Sequence, residues 1–194
     1  MIVIPGVRKE WRVNDKLHRE CGEPAIVWEN GDREYLYDGK HHRLDDKPAI
    51  ERINGNRMWM INGILHRLND KPALITCDGP VMWIVNGIIT RPNGLPAVLG
   101  ANGEQYWLID GKLDRPGDLP AIVIPGKVKR WYKNGKRDRG NNLPAVVYAN
   151  GRKRYYVNDR LVRNEDPTGI LLSIDDDSDD EEEFVKYLDV NNYF

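Results

Sequence analysis

Three histidine–arginine pairs, His18-Arg19, His42-Arg43 and His66-Arg67, stand 24 residues apart. An imidazole can carry a proton or ligate a metal, and a guanidinium can grip a phosphate or carboxylate with two parallel hydrogen bonds. A metal site needs several ligands around one ion. Equivalent positions in successive two- or three-stranded units lie roughly 10–15 Å apart, too far for one ion to bridge. The histidines therefore read as hydrogen-bonded surface or turn residues, with no metal and no cofactor. Thr90, Asp114, Asp138 and Val162 replace them in later copies, whereas the arginines continue through Arg91, Arg115, Arg139 and Arg163. Each arginine reads as packed on a neighbouring aromatic ring and bonded to loop carbonyls or carboxylates. The rival reading is an evenly spaced comb for phosphates. Recurrence in every copy favours the first, because a requirement of the fold recurs with the fold.

Nucleophilic catalysis finds little material. No serine precedes Ser173, and Cys21 and Cys77 sit in different phases of the repeat with no Cys–His spacing. The chain is read as a non-enzyme, with no disulfide framework and a reducing, cytoplasmic compartment. No apolar run approaches a membrane span, and no signal peptide or presequence is read at the start.

The elements that position these residues follow from the same period. Pro24, Pro48, Pro72, Pro96, Pro120 and Pro144 are 24 residues apart, and each precedes an alanine. Aromatics hold another phase: Trp11, Tyr35, Trp59, Trp83, Trp107, Trp131 and Tyr155. A turn pair follows each, as in Asn62-Gly63 and Asn86-Gly87, and a second precedes most, as in Asn30-Gly31 and Asn54-Gly55. Asn-Gly favours type I′ hairpin turns, so both pairs are expected in that form. An exact repeat of this kind means one supersecondary unit stacked on copies of itself. The fold class expected is all-β, an elongated array of antiparallel hairpins. Residues 1–172 would form seven units with a partial cap, for which Ile170 to Ile174 is the candidate strand. Alternation places Trp59 with Ile61 and Leu65 on the buried face, and likewise Val85 with Ile89 and Ile109 with Leu113. Each aromatic is expected to pack on that of the next unit, and each proline to open a strand.

Charge is uneven along the chain, although the net is −1. Residues 1–126 carry 16 basic and 17 acidic side chains, residues 127–172 carry 12 and 4, and residues 173–194 carry 1 and 9. The basic stretch holds Lys127, Lys129, Arg130, Lys133, Lys136, Arg137, Arg152, Lys153 and Arg154, interleaved with Trp131, Tyr132, Tyr155 and Tyr156. That composition suits nucleic acid or lipid headgroups, or the chain's own acidic tail. The tail, residues 173–194, is expected to be disordered when alone. Ser178 within it resembles an acidophilic kinase site. It ends in Phe184, Val185, Tyr187, Leu188, Tyr193 and Phe194, read as a docking peptide.

The unit Trp59-Met60-Ile61-Asn62-Gly63-Ile64-Leu65-His66-Arg67 with Pro72-Ala73 resembles the MORN repeat family. It looks most like the divergent MORN-like arrays of large DNA viruses of amoebae, and loosely like bacterial antitoxin-type arrays. The likeness covers about residues 1 to 166. It implies a twisted antiparallel sheet of hairpins and a role in protein association or, in some members, lipid contact. Here arginine follows the histidine where the family has glycine, and the unit is slightly longer.

The leading expectation is a scaffold that binds proteins through an extended β surface, in a virion or infected-cell cytoplasm if viral. Self-association through sheet edges or the tail is a further expectation. The alternatives are an anion-binding module using units 127–163, and an intracellular antitoxin-type inhibitor.

Overall fold

The computed structural model describes residues 1–174, which form two compact units, Met1–Gly111 and Lys112 onward. The expected acidic run from Asp175, Ser178 and the apolar docking segment lie outside the described residues. All regular structure in those residues is short antiparallel strand, with no helix.

In the first unit a ladder runs in chain order through Ile2–Ile4, Arg8–Glu10, Ile26–Trp28, Arg33–Glu34, Ile50–Glu51, Arg57–Met58, Leu74–Ile75, Val81–Met82, Val98–Leu99 and Gln105–Tyr106. Met58 faces Ile50 on one side and Leu74 on the other. In the second unit the ladder is Ile122–Ile124, Val128–Arg130, Val146–Tyr148, Lys153–Val157 and Arg160–Glu165. Small side hairpins alternate with the ladder strands: Arg12–Val13 with Lys16–Leu17, Leu36–Tyr37 with Lys40–His41, Met60–Ile61 with Ile64–Leu65, and Ile84–Val85 with Ile88–Ile89. The second unit carries Tyr132–Lys133 with Lys136–Arg137. Consecutive hairpins are tied by one backbone bond, as from the Gly63 amide to the His41 carbonyl at 2.8 Å and from Gly87 to Leu65 at 2.8 Å.

The aromatic residue makes the corner between ladder and hairpin. The Trp59 amide donates to the Ala73 carbonyl, and the Trp59 carbonyl accepts from the His66 amide. Met58, Trp59 and Met60 are all buried in succession, so strand alternation restarts at the corner. This corrects the expected buried face. Met60, Ile84 and Leu108 point inward, while Ile61 and Val85 are only half-buried and Ile109 is exposed. Leu65, Ile89 and Leu113 are buried as expected. Between ladder and hairpins, Ala25, Ile26 and Leu36 pack together with Leu17 and Trp28 against them.

The alanine that follows each proline is fully buried. Ala25, Ala49, Ala73, Ala97, Ala121 and Ala145 are each 0% exposed. The proline does not open a strand as expected. Pro48 precedes Ile50–Glu51 by two residues, and its carbonyl is an acceptor for Arg43.

The turns divide into three kinds. The pair after the aromatic is type I′, with Asn62 at φ 52° and Gly63 at 83°. The pair before it is not, which corrects the expectation. Gly31 and Gly55 have φ of 97° and 102°, but Asn30 and Asn54 are not in the left-handed region. The Gly31 amide donates to Trp28 and the Trp28 amide to Asp32, a type I turn closed by a glycine bulge. The asparagine still matters, because the Asn30 and Asn54 Oδ1 atoms accept from the amides two residues on. The third kind lies in what read as a plain loop. Asp45-Asp46, Asn69-Asp70 and Asn141-Asn142 all have both φ positive.

The expected cap is also different. Arg160–Glu165 is the last strand, and Ile170 to Ile174 contributes a single bridge from Leu171 to Glu165. Its side chains are exposed, so they give that segment no buried face to hold it as a strand.

Candidate interaction surfaces

Most of the phased arginines are held by the aromatic ring before them and the proline carbonyl after them, and three of them also by a carboxylate of the preceding copy. Arg67 lies 3.7 Å from the Trp59 ring centroid and donates to the Pro72 carbonyl at 3.0 Å. Its fork also takes Asp46 at 2.7 and 3.2 Å, and the Trp59 indole donates to the Asp46 carbonyl at 2.9 Å. Arg91 repeats the set with Trp83, Pro96 and Asp70, and Arg139 with Trp131, Pro144 and Asp118. The left-handed turn therefore has a purpose that its sequence conceals. It presents one residue's carbonyl to a tryptophan and its carboxylate to an arginine.

The tyrosine units use a different carboxylate. Gly22 stands where Asp46 stands in the next copy, and Glu51 instead pairs with Arg43 at 3.0 Å and accepts from the Tyr35 hydroxyl at 3.1 Å. Glu165 does the same for Arg163 and Tyr155. Arg19 stacks on Trp11 at 4.0 Å and donates to Pro24, and Arg115 donates to Pro120. These rings take arginine faces where ring-on-ring packing was expected. Arg67 and Arg91 are each only 13% exposed, which leaves little of either for a phosphate.

The histidine phase serves the following turn. His18, His42 and His66 accept through Nδ1 from the amides of Asp38, Asn62 and Asn86. Asp114 and Asp138 accept from Asn134 and Asn158 with a carboxylate oxygen instead. Imidazole and carboxylate are interchangeable there because the turn asks only for an acceptor. Among the described residues no group of three histidine, cysteine or acidic side chains is placed to hold a metal ion. Nor does any helix there have the length and apolar character to cross a membrane.

One interior phase carries charge. Glu10 and Glu34 are buried at the position that Met58, Met82 and Tyr106 fill in later copies. Burial raises the Glu34 pKa, but hydrogen bonds from His41, Arg52 and Trp28 outweigh it and bring the value down to about 2. Glu10 is likewise lowered against burial, by Arg12 and Arg8. In the second unit the same phase holds Arg130 and Arg154, 7% and 0% exposed. Both were expected in a surface anion site, and both face the core. Arg137 stacks on Tyr156 at 4.2 Å and pairs with Asp159, while Arg152 donates to Asn164. Lys127, Lys129, Lys133, Lys136 and Lys153 are the members of that set that are exposed.

A surface that the reading of the repeat missed lies outside the side hairpins. Val13, Tyr37, Ile61, Val85 and Ile109 share one phase of the first unit, and three of them are 52%, 56% and 45% exposed at Val13, Tyr37 and Ile109. Across each hairpin, Ile61 pairs with Ile64 and Val85 with Ile88. Ile64 and Ile88 are 51% and 46% exposed. The Gly87 turn sits against Ile64, with 3.3 Å between the Ile64 methyl and the place of a Cβ on Gly87, so the aliphatic face is continuous from hairpin to hairpin. The signal was present in the sequence: the phase is apolar in five consecutive copies.

Comparison with known protein families finds no family model that matches the chain, and no curated protein matches it.

Proposed function

We propose that this protein is a non-enzymatic scaffold that binds other proteins through the outer face of its side hairpins. The observation that carries this is the aliphatic face formed by exposed Ile64, Ile88 and Ile109 with half-buried Ile61 and Val85. Clustered aliphatic side chains on a surface mark places where partners bind. The arginine, aromatic and turn residues are engaged in the fold, so recognition falls to positions the fold leaves open. The MORN-like motif, carried by Trp59 to Arg67 with Pro72-Ala73, supports the same role, as does its likeness to arrays of large DNA viruses for a place in a virion or infected cell.

The test is capture of partners from the native source by full-length protein and by an Ile64→Lys, Ile88→Lys variant. The variant is expected to lose partners that resist moderate salt, while its unfolding free energy from urea titration changes by no more than about 0.5 kcal/mol. Unchanged capture would count against the reading.

A second reading, an anion-binding module, is supported by the five exposed lysines of the second unit, Lys127, Lys129, Lys133, Lys136 and Lys153. It would take nucleic acid or lipid headgroups by charge and without sequence preference.

A further inference from the structure

Arg67, Arg91 and Arg139 each direct Nε at an aspartate of the preceding left-handed turn, Asp46, Asp70 and Asp118, at 2.7, 2.6 and 2.8 Å. In the first of these sets Lys71 Nζ reaches the same Asp46 carboxylate. One copy earlier, Gly22 holds the place of Asp46, while Arg43 and Lys47 hold those of Arg67 and Lys71. Arg43 keeps its stack on Tyr35, 3.4 Å from the ring centroid, and its Nη1 donates to Pro48 and Glu51. Its Nε is buried and, among the described residues, has no hydrogen-bond partner. A buried donor without a partner has given up its bonds to water and made none in return, so a fitting acceptor is favoured there. Glu51 does not fill that role, because it meets the Nη1 edge beside the Pro48 carbonyl.

The place of the missing carboxylate is open. Gly22, Arg43 and Lys47 line one open cavity of about 270 Å³. A Cβ on Gly22 would have nothing within 4 Å. The turn keeps the same left-handed form, with φ of 60° at Cys21 and 71° at Gly22 against 60° at Asp45 and 55° at Asp46. Glu20, Glu23 and Asp45 also line the cavity, and their charges oppose a dianion or a polyanion. We propose that this cavity binds a single carboxylate, taken by Arg43 Nε and Lys47 Nζ as Arg67 and Lys71 take Asp46. The ligand is a small carboxylic acid or the aspartate or glutamate side chain of a peptide. The inference does not rest on the scaffold reading, because none of Ile61, Ile64, Val85, Ile88 and Ile109 lines the cavity.

NMR titration of the full-length protein with sodium acetate, against sodium chloride at equal ionic strength, tests it. The Arg43 Nε–H and Gly22 amide signals should shift saturably with acetate, with a dissociation constant of roughly 1–10 mM for so small a ligand. Phosphate should bind more weakly. Gly22→Asp supplies the carboxylate from the chain itself, so it should place the Arg43 signal at its acetate-bound position from the start and weaken acetate binding by roughly tenfold or more. Gly22→Ala adds a Cβ in open space but no charge, and should bind acetate as the unaltered protein does. Lys47→Ala, at an exposed site, should weaken binding by roughly threefold and keeps the test decisive if Gly22→Asp fails to fold. A capped peptide with one aspartate, titrated in parallel, separates the two sources: binding tighter than acetate assigns the site to peptides, and equal or weaker binding to a free acid. Shifts that follow chloride as closely as acetate would overturn the inference. So would a Gly22→Asp variant that titrates like the unaltered chain.

Discussion

At the residue scale, the arginine of each unit does the work of several groups. Arg67 covers an indole, satisfies the Pro72 carbonyl and grips Asp46 with two nitrogens. Lysine keeps the charge but has no planar fork to stack and bridge at once. Arg67→Lys should therefore lower the unfolding free energy by about 1–3 kcal/mol, measured by urea titration. A loss no larger than that of an exposed lysine swap would show that the stack contributes little. Glu34 gives a pH dependence of defined sign. Its carboxyl is lowered from 4.5 to about 2 in the folded chain, so the folded state binds fewer protons than the unfolded one between those values. Its contribution is present above about pH 5, on the order of 3 kcal/mol, and is lost as pH falls towards 2. Glu34→Gln should flatten that part of the stability–pH curve. A curve of unchanged slope would place the acid sensitivity in other carboxylates, such as Asp46, which Arg67 and Lys71 hold well below the usual range.

At the element scale, turn chemistry decides where strands end. Gly87 combines φ of 78° with the Ile64 methyl 3.3 Å from where a Cβ would sit, whereas Gly94 has φ of 68° and nothing within 4 Å. Gly94→Ala should cost about 1 kcal/mol from backbone strain alone, and Gly87→Ala clearly more, read as the difference in their thermal midpoints. Equal shifts would mean that the hairpin contact gives way freely. The turn pairs were legible because Asn-Gly has few other uses, yet their geometry was only half legible. Asn30-Gly31 and Asn62-Gly63 read alike, but the first closes a three-residue loop and the second a two-residue loop, so only the second needs two left-handed residues. Asp45-Asp46 was not recognised as a turn at all. Its left-handed backbone is stabilised by Trp59 and Arg67, 13 and 21 residues further on, and no local rule contains them.

At the scale of the whole molecule, salt would separate the two proposed modes of binding. Capture through Ile64 and Ile88 should change little between about 50 and 200 mM salt, because aliphatic burial is not screened. Binding of a polyanion to the lysines of the second unit should weaken steeply over the same range, as counterions are released. Parallel titrations with a captured partner and with heparin would show it. Partner affinity that falls as fast as heparin's would place recognition on the basic face.

The period of 24 residues by itself determined the all-β repeat, the places of the corner aromatics and the recurrence of the arginine. These are legible because a stacked unit must meet the same neighbour in every copy. The tertiary structure alone decided which side of each strand faces inward. Alternation carries a phase along a straight strand, but the phase restarts at the Trp59 corner, and Met60 enters the core in place of Ile61. That one step moved Ile109 from the expected interior to the surface and left Ile61 and Val85 half-buried. It also moved Arg130 and Arg154 from the expected surface to the interior.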